Sequence, residues 1–363
     1  MSVHDYLNTL PENVEIINIS YRGLKILPDL SRFINLKTLN CSCNQLTWLP
    51  PLNDSLQELY CFHNKLTSLP PLNDSLQELY CYHNQLASLP LLNSSLNILH
   101  CFHNQLTSLP FLNDSLRELN CANNQLISLP PLNDSLKILY CNGNILTSLP
   151  PLSISLQYLN CSNNQLTLLP FLNESLQHLN CSCNQLTLLL SLNKYLQGLE
   201  CSHNLLTTLP PLNDSLQELF CTDNQLISLP PLNSSLNTFY CSYNKLTSLP
   251  PLNDSLQELY CSNNQLTSLP PLNDYLQELC IRNNPIFEIV GTNRTKINIL
   301  THFREFYFLS KLRKKFISWM WKSREERIKE QFHPDILYSA INTFNDLEDA
   351  NELDNWIKNN WEK

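Results

Sequence analysis

The chain has 363 residues, a net charge of -9, 15 cysteines and only 4 glycines. Up to residue 289 it carries 10 Lys/Arg against 21 Asp/Glu, and beyond that point 13 against 11, so most of its length is too acidic to grip nucleic acid. The opening MSVHDYLNTLPENVEI has neither a basic nor an apolar signal-peptide region, and no run of 18 apolar residues follows, so neither secretion nor a membrane span is expected.

Residues 1–35 read as an N-terminal cap and an irregular first coil, with Asp5, Tyr6 and Leu7 opening a brief helix. Val14, Ile17, Ile19, Leu24, Leu27 and Leu30 form an apolar series, with Arg22 standing 22 residues before Asn44. From Leu36 to about residue 290 one frame then returns thirteen times at a spacing of 20 residues. It reads L-x-x-L-x-C-x-x-N-x-L-x-x-L-P-x-L, as in Leu56, Leu59, Cys61, Asn64, Leu66, Leu69, Pro70 and Leu72. A fixed period of this length predicts a stack of similar coils rather than separate domains, and terminal coils are atypical in such stacks.

Within each coil the x-L-x-C-x segment alternates at the strand period, which points Leu and Cys inward and predicts one short strand per coil, paired in parallel with its neighbours. The Asn amide offers two donors and an acceptor, and once buried it must use them on backbone groups of its own and adjacent coils. The Pro-Pro of the LPPLNDS stretch sets an extended, polyproline-like return path without a regular helix. With so few glycines, the turns are expected to be built from Pro, Asn, Asp and Ser. The N-x-S triplets, such as Asn73-Asp74-Ser75, are by-products of the repeat.

Twelve cysteines, Cys41 and every twentieth residue to Cys261, occupy one frame position. Coils stacked about 4.8 Å apart hold in-register Cβ atoms farther apart than the roughly 3.8 Å a disulfide prefers. A column of reduced, buried thiols follows, and with it a reducing compartment, the cytoplasm. Cys43 and Cys183 stand outside this column and are the thiols expected to be most reactive.

Residues 291–363 change character. Ile299, Phe303, Phe306, Leu309 or Leu312, Phe316 and Met320 recur at helical spacing, with Pro334 as a stop. Residues 294–329 hold 11 basic and 3 acidic side chains, and residues from 330 onward 2 and 8. A helical tail covering the last coil is expected. Lys311, Arg313, Lys314 and Lys315 beside Trp319 and Trp321 leave contact with a membrane or RNA open.

The apolar and Asn positions barely change between coils, whereas the outward-facing strand positions do. They place Glu58, Tyr60, Phe62 and His63 in one coil, Glu78, Tyr80, Tyr82 and His83 in the next, and His100, Phe102 and His103 in the third. Tyr140 follows, and later coils add Glu218, Phe220, Tyr240, Glu258 and Tyr260. Drift between copied repeats explains variation, but not aromatics that persist on the outward side, which suit a surface for a protein or peptide partner. The histidines also invite a metal reading. Three imidazoles in a straight row span about 9.6 Å at coil spacing, whereas zinc takes nitrogens about 2.0–2.1 Å from one centre, so a partner surface is preferred. No Gly-rich phosphate loop, H-E-x-x-H or G-x-S-x-G is present, and no Cys follows Cys280. Neither enzymatic activity nor a cofactor is expected.

On this frame the chain resembles the short 20-residue leucine-rich repeats of secreted bacterial effectors, which also carry an L-P step before the next Leu. The strand Cys, the LPPLNDSLQELYC wording and the abundance of Asn are closer still to leucine-rich repeat proteins encoded by giant DNA viruses of amoebae. That likeness covers about residues 14 to 290, and the phrase from Trp321 to Pro334 is similar to C-terminal tails in the same viral group. The resemblance implies a curved leucine-rich repeat solenoid, with a parallel sheet on the concave side and an extended convex side, used for protein recognition in a host cytoplasm. Some bacterial relatives add a ubiquitin-ligase domain with a nucleophilic Cys, which a tail of about 70 residues without Cys does not match. Some other repeat proteins act as ubiquitin-ligase adaptors through an N-terminal F-box, too large for the thirteen residues before the first coil. A ubiquitin-pathway role carried by the tail, or membrane or RNA binding by it, stands as the alternative.

Overall fold

The alternating segments become strands at the expected places in a computed structural model that describes residues 3–286. A short helix α1 (Val3–Thr9) leads into β1 (Ile16–Asn18), β2 (Thr38–Asn40) and then a strand every 20 residues from β3 (Glu58–Tyr60) to β14 (Glu278–Cys280). All fourteen join one sheet in chain order. Pairing is parallel and in frame, Leu39 opposite Leu59 and Leu59 opposite Leu79. The irregular first coil keeps register in spite of its longer spacing, with Ile17 opposite Leu39.

The middle residue of each strand is buried, and the flanking residues are mostly half-buried on the other face. Behind the sheet the Leu columns and the twelve-Cys column form one continuous core, with Phe33 and Phe239 among its largest side chains. Burial pushes the Cys41, Cys81, Cys121 and Cys161 thiols up to about 12, so the column is inert as a nucleophile. Leu7 of α1 is buried at the start of this core, and Arg32 Nη2 donates to the Leu7 carbonyl.

The frame asparagine does what its amide allows. Asn64 Nδ2 donates to the carbonyls of Cys41 (3.1 Å), Cys61 (3.0 Å) and Phe62 (3.3 Å), and its Oδ1 accepts from Leu46 N (3.0 Å). The same pattern runs from Asn44 to Asn284, tying every coil to the one before it. Aspartate would lack the donors and leucine both functions, which explains the uniformity of this position.

A second asparagine ladder, not anticipated from the sequence, runs along the return path. Asn73 Nδ2 donates to the carbonyls of Asn53 and Leu56, and the pattern recurs at Asn93, Asn113, Asn193 and Asn233. Ser153 takes the place of one rung, its Oγ donating to Leu136 O at 3.0 Å. The amide of the Asn73-Asp74-Ser75 triplet is therefore committed to the stack.

The turn after the strand departs from expectation in about half of the coils. The residue before the frame Asn has a positive φ in every repeat, between 50° and 66°, and among the thirteen regular coils it is glycine only at Gly143. Asn123, Asn163, Asp223, Asn263 and Asn283 supply the expected turn chemistry, but His, Cys and Tyr occupy the position at Cys43, His63, His83, His103, Cys183, His203 and Tyr243. The strand ladder overrides the local cost, because these residues donate their backbone N–H to the next coil, Cys43 to Phe62 O (2.9 Å) and His63 to Tyr82 O (3.0 Å). Replacing Cys183, at φ 55°, by Gly should raise stability by about 1 kcal/mol. A higher urea midpoint is the expected readout, and a lower one would show that the thiol's packing outweighs backbone strain. Cys183 lies outside the buried column, half-buried. Burial first, and then Asp223, raises its pKa, which lowers its thiolate fraction.

No helix among the described residues is long and apolar enough to cross a membrane. The expected helical segment 291–363 and its end-covering role lie outside the described residues.

Candidate functional site

Parallel pairing at a constant register puts each outward side chain on top of its counterpart one coil away. In β3, β4 (Glu78–Tyr80) and β5 (Ile98–His100) and the turns that follow them, this builds a grid of nine rings in three columns. Tyr60 stacks on Tyr80 with centroids 4.7 Å apart and planes within 4°, and His100 meets Tyr80 edge-on at 5.0 Å. Phe62, Tyr82 and Phe102 stack face to face at 4.5 and 4.3 Å. His63, His83 and His103 do the same at 4.3 and 4.4 Å. The columns touch edge-to-face, as between His83 and Phe102 at 5.6 Å. Each such pair contributes about 0.5–1.5 kcal/mol beyond its buried area.

The sequence reading left these side chains outward and open. The structure half-buries seven of the nine and exposes only His63 and His103, because each ring leans on the next. Parallel imidazoles also direct their nitrogens along parallel lines rather than at one centre. His83, between two like groups, has its pKa lowered by burial first and then by His63 and His103. A lowered imidazole pKa means that the unfolded chain takes up the proton first as pH falls, so stability drops below about pH 6.5. The melting temperature should therefore fall between about pH 7.5 and 5.5, and His83→Phe should flatten part of that slope. Glu200, whose pKa is raised, works in the opposite sense towards the carboxylate range, so the comparison with the variant isolates the imidazole. An unchanged slope in His83→Phe would refute the assignment.

Carboxylates border the rings. Tyr60 OH donates to Glu58 at 3.2 Å and Tyr80 OH to Glu78 at 3.0 Å. Burial, with Glu58 adding to it, pushes the Tyr60 phenol up to about 12. His100 Nε2 lies 2.8 Å from Glu118 Oε1. A second patch repeats the theme in β11 (Glu218–Phe220), β12 (Thr238–Tyr240) and β13 (Glu258–Tyr260). There Phe220 meets Tyr240 edge-on at 4.9 Å, Tyr240 lies 4.2 Å from Tyr260, and Tyr240 OH donates to Glu258 at 2.7 Å. Tyr260 OH donates to Glu278. The candidate residues thus form two clusters rather than one ribbon. Tyr140 belongs to neither and packs instead on Tyr158 at 5.0 Å, which in turn lies 6.0 Å from His178. Tyr158, His178, Glu118 and Glu278 were not singled out from the sequence. The Tyr140–Tyr158, His100–Glu118 and Tyr260–Glu278 contacts run diagonally between frame positions, which reading down one column does not show, whereas Tyr158 and His178 are direct cross-strand partners.

Taken together, the fourteen strands carry seven carboxylates and no lysine or arginine. One face of the sheet is sealed by the core, and the other offers an acidic, aromatic relief on a rigid scaffold. Such a molecule is a solenoid of a kind typical of protein–protein interaction. Family models described as leucine-rich repeats match residues 54–94, 114–153, 155–173 and 234–274. The chain is 35% identical to YopM from Yersinia enterocolitica WA-314, with a TM-score of 0.68 over 78% of this chain and 67% of that one. It is 31% identical to the leucine-rich effector YopM from Yersinia pestis, with a TM-score of 0.58 over 74% and 88%. The functional domain of InlJ from Listeria monocytogenes, which includes a cysteine ladder, is 26% identical, with a TM-score of 0.58 over 74% and 67%. No curated protein matches the sequence. The chain belongs to the leucine-rich repeat family.

Proposed function

We propose that this protein is a non-enzymatic recognition scaffold that binds a protein or peptide on the open, concave face of its sheet. The nine-ring grid from Tyr60 to His103 carries the reading, because rigid, half-buried aromatics framed by carboxylates are the make-up of an interface centre. The excess of Glu over cations on the strands favours a partner with a basic or mixed surface, charge acting mainly on encounter and specificity. Leucine-rich repeat solenoids typically serve as protein-binding scaffolds, and the likeness to an effector such as YopM agrees with that use. The reduced thiol column, together with the resemblance to giant-virus repeat proteins, supports action in a host cytoplasm.

The test is affinity capture from host lysate with the native protein and with a Tyr60→Ala, Glu78→Gln, Tyr80→Ala triple variant. A partner held by the native protein and released by the variant is the expected outcome. Equal retention by both would remove the open face from consideration.

A further inference from the structure

We propose that the basic segment 294–329 of this chain docks on the acidic patch formed by the last five strands of the same molecule, as a built-in competitor for the recognition face. The inference rests on the reading of that face as a binding surface, and it names an occupant.

Three features of the patch call for a cation. Glu258 and Glu278 sit directly opposite each other on adjacent parallel strands, an arrangement of like charges that is destabilising unless something neutralises it. In β10 (Gly198–Glu200), Glu200 has its pKa raised by burial first and then by Glu218, as expected for an anion facing another anion. Among the described residues, no lysine or arginine pairs with Glu200, Glu218, Glu258 or Glu278; the ion pairs there are Lys37–Glu15, His100–Glu118 and His203–Asp223. Phe220, Tyr240 and Tyr260 lie between these carboxylates and add rings against which guanidinium groups and indoles can pack.

The chain itself supplies the complement. Residues 294–329 hold 11 basic and 3 acidic side chains, together with Phe316, Trp319 and Trp321. Ile286, the last described residue, lies next to β14, and eight residues of chain can span at most about 27 Å. The four steps from β14 back to β10 cover only about 19 Å. Tethering at that distance gives a local concentration on the order of millimolar, so even a weak contact is populated. The grid around Tyr82 follows β4, ten steps or about 48 Å from β14, so the patch is the nearer part of the face.

Two measurements on the full-length protein test this. Carbodiimide cross-linking of dilute protein, mapped by mass spectrometry, should join Lys311, Lys314, Lys315 or Lys322 to Glu218, Glu258 or Glu278 within one chain. The joined species should be lost in Glu258→Gln, Glu278→Gln protein whose circular dichroism is unchanged. In parallel, a fluorescent deca-arginine peptide is titrated onto native protein and onto the Lys311→Glu, Arg313→Glu, Lys314→Glu, Lys315→Glu variant. If the tail covers the patch about four-fifths of the time, the variant binds the peptide about fivefold more tightly. Cross-links that form only between two isotopically distinguished copies, or equally to exposed Asp134 and Asp214, overturn the proposal. Equal peptide affinity for both proteins, lost on Glu258→Gln and Glu278→Gln, overturns the tail's role and leaves the recognition reading intact. No peptide binding by either protein, with no cross-links to the patch, removes the basic-partner reading as well.

Discussion

Asn164→Ala should lower the stability of the array by on the order of 3–6 kcal/mol, one of the largest effects available to a single side chain here. Asn164 Nδ2 donates to the carbonyls of Cys141, Cys161 and Ser162, each at 3.1 Å, and its Oδ1 accepts from Leu146 N at 3.0 Å. Alanine deletes all four bonds and strands Leu146 N in a buried site, whereas the carbonyls of Cys141, Cys161 and Ser162 each keep one other donor, Asn144 Nδ2, Asn184 Nδ2 and Gly143 N. The stranded N–H costs about 1–3 kcal/mol, and each of the three lost bonds to carbonyls about 0.5–1.5 kcal/mol. The damage also spreads, because a repeat array is stabilised through nearest-neighbour interfaces, and this rung belongs to one of them. A melting temperature lower by on the order of 10 °C is expected. Amide exchange should accelerate first in the coils on either side of the rung. Asp134 is exposed on the return path, and Asp134→Ala should change stability by no more than about 0.5 kcal/mol. Equal melting temperatures for the two variants would show that the asparagine ladder does not hold the coils together.

Tyr82→Ala should have the largest effect on recognition. Its ring is the centre of the grid, with Phe62 at 4.5 Å, Phe102 at 4.3 Å, and His63 and His83 edge-on at 5.8 Å. Removing it opens a gap in the middle column and frees the rings above and below to change rotamer. The partner then meets a disordered surface instead of a fixed one. Central aromatic positions of this kind carry about 2 kcal/mol or more of binding free energy, which corresponds to an affinity loss of roughly 30-fold. Stability should fall by only about 1–3 kcal/mol, the contribution of two stacked pairs. Tyr243 provides the comparison, since it is 58% exposed and no ring packs on it among the described residues. Tyr243→Asn suits the positive φ of that position and should alter affinity less than about threefold. Titration of the captured partner against both variants decides the matter. Equal losses would mean that the stack has no special part in binding.

Both expectations rest on register, and register was legible in the residues. Asn recurs at a spacing of 20 from Asn44 to Asn284, and that recurrence determines which Leu and Cys are buried. One strand per coil, parallel pairing in chain order, the inert thiol column, the bonds of the frame Asn and the brief helix around Asp5 could all be read before any coordinates. They depend on local period and on the obligation of a buried polar group to find partners, and both are properties of a single coil.

What stayed hidden depends on two coils at once. The second ladder through Asn73 and Asn93 looked like turn composition, because nothing within one coil shows that an Asn amide meets the carbonyl of the coil before it. The positive φ at His63, Cys183 and Tyr243 was hidden for the same reason. The strain is local, but the bonds that hold it come from the next strand. The aromatic positions could be listed from the sequence. Their division into a grid around Tyr82, a patch around Tyr240 and a separate Tyr140–Tyr158 contact could not. By itself the sequence determined the coil, since a repeated pattern of burial leaves only one face for each side chain. Tertiary structure alone decided which outward side chains become neighbours, because that distance is fixed by the stacking of backbones and not by any spacing along the chain.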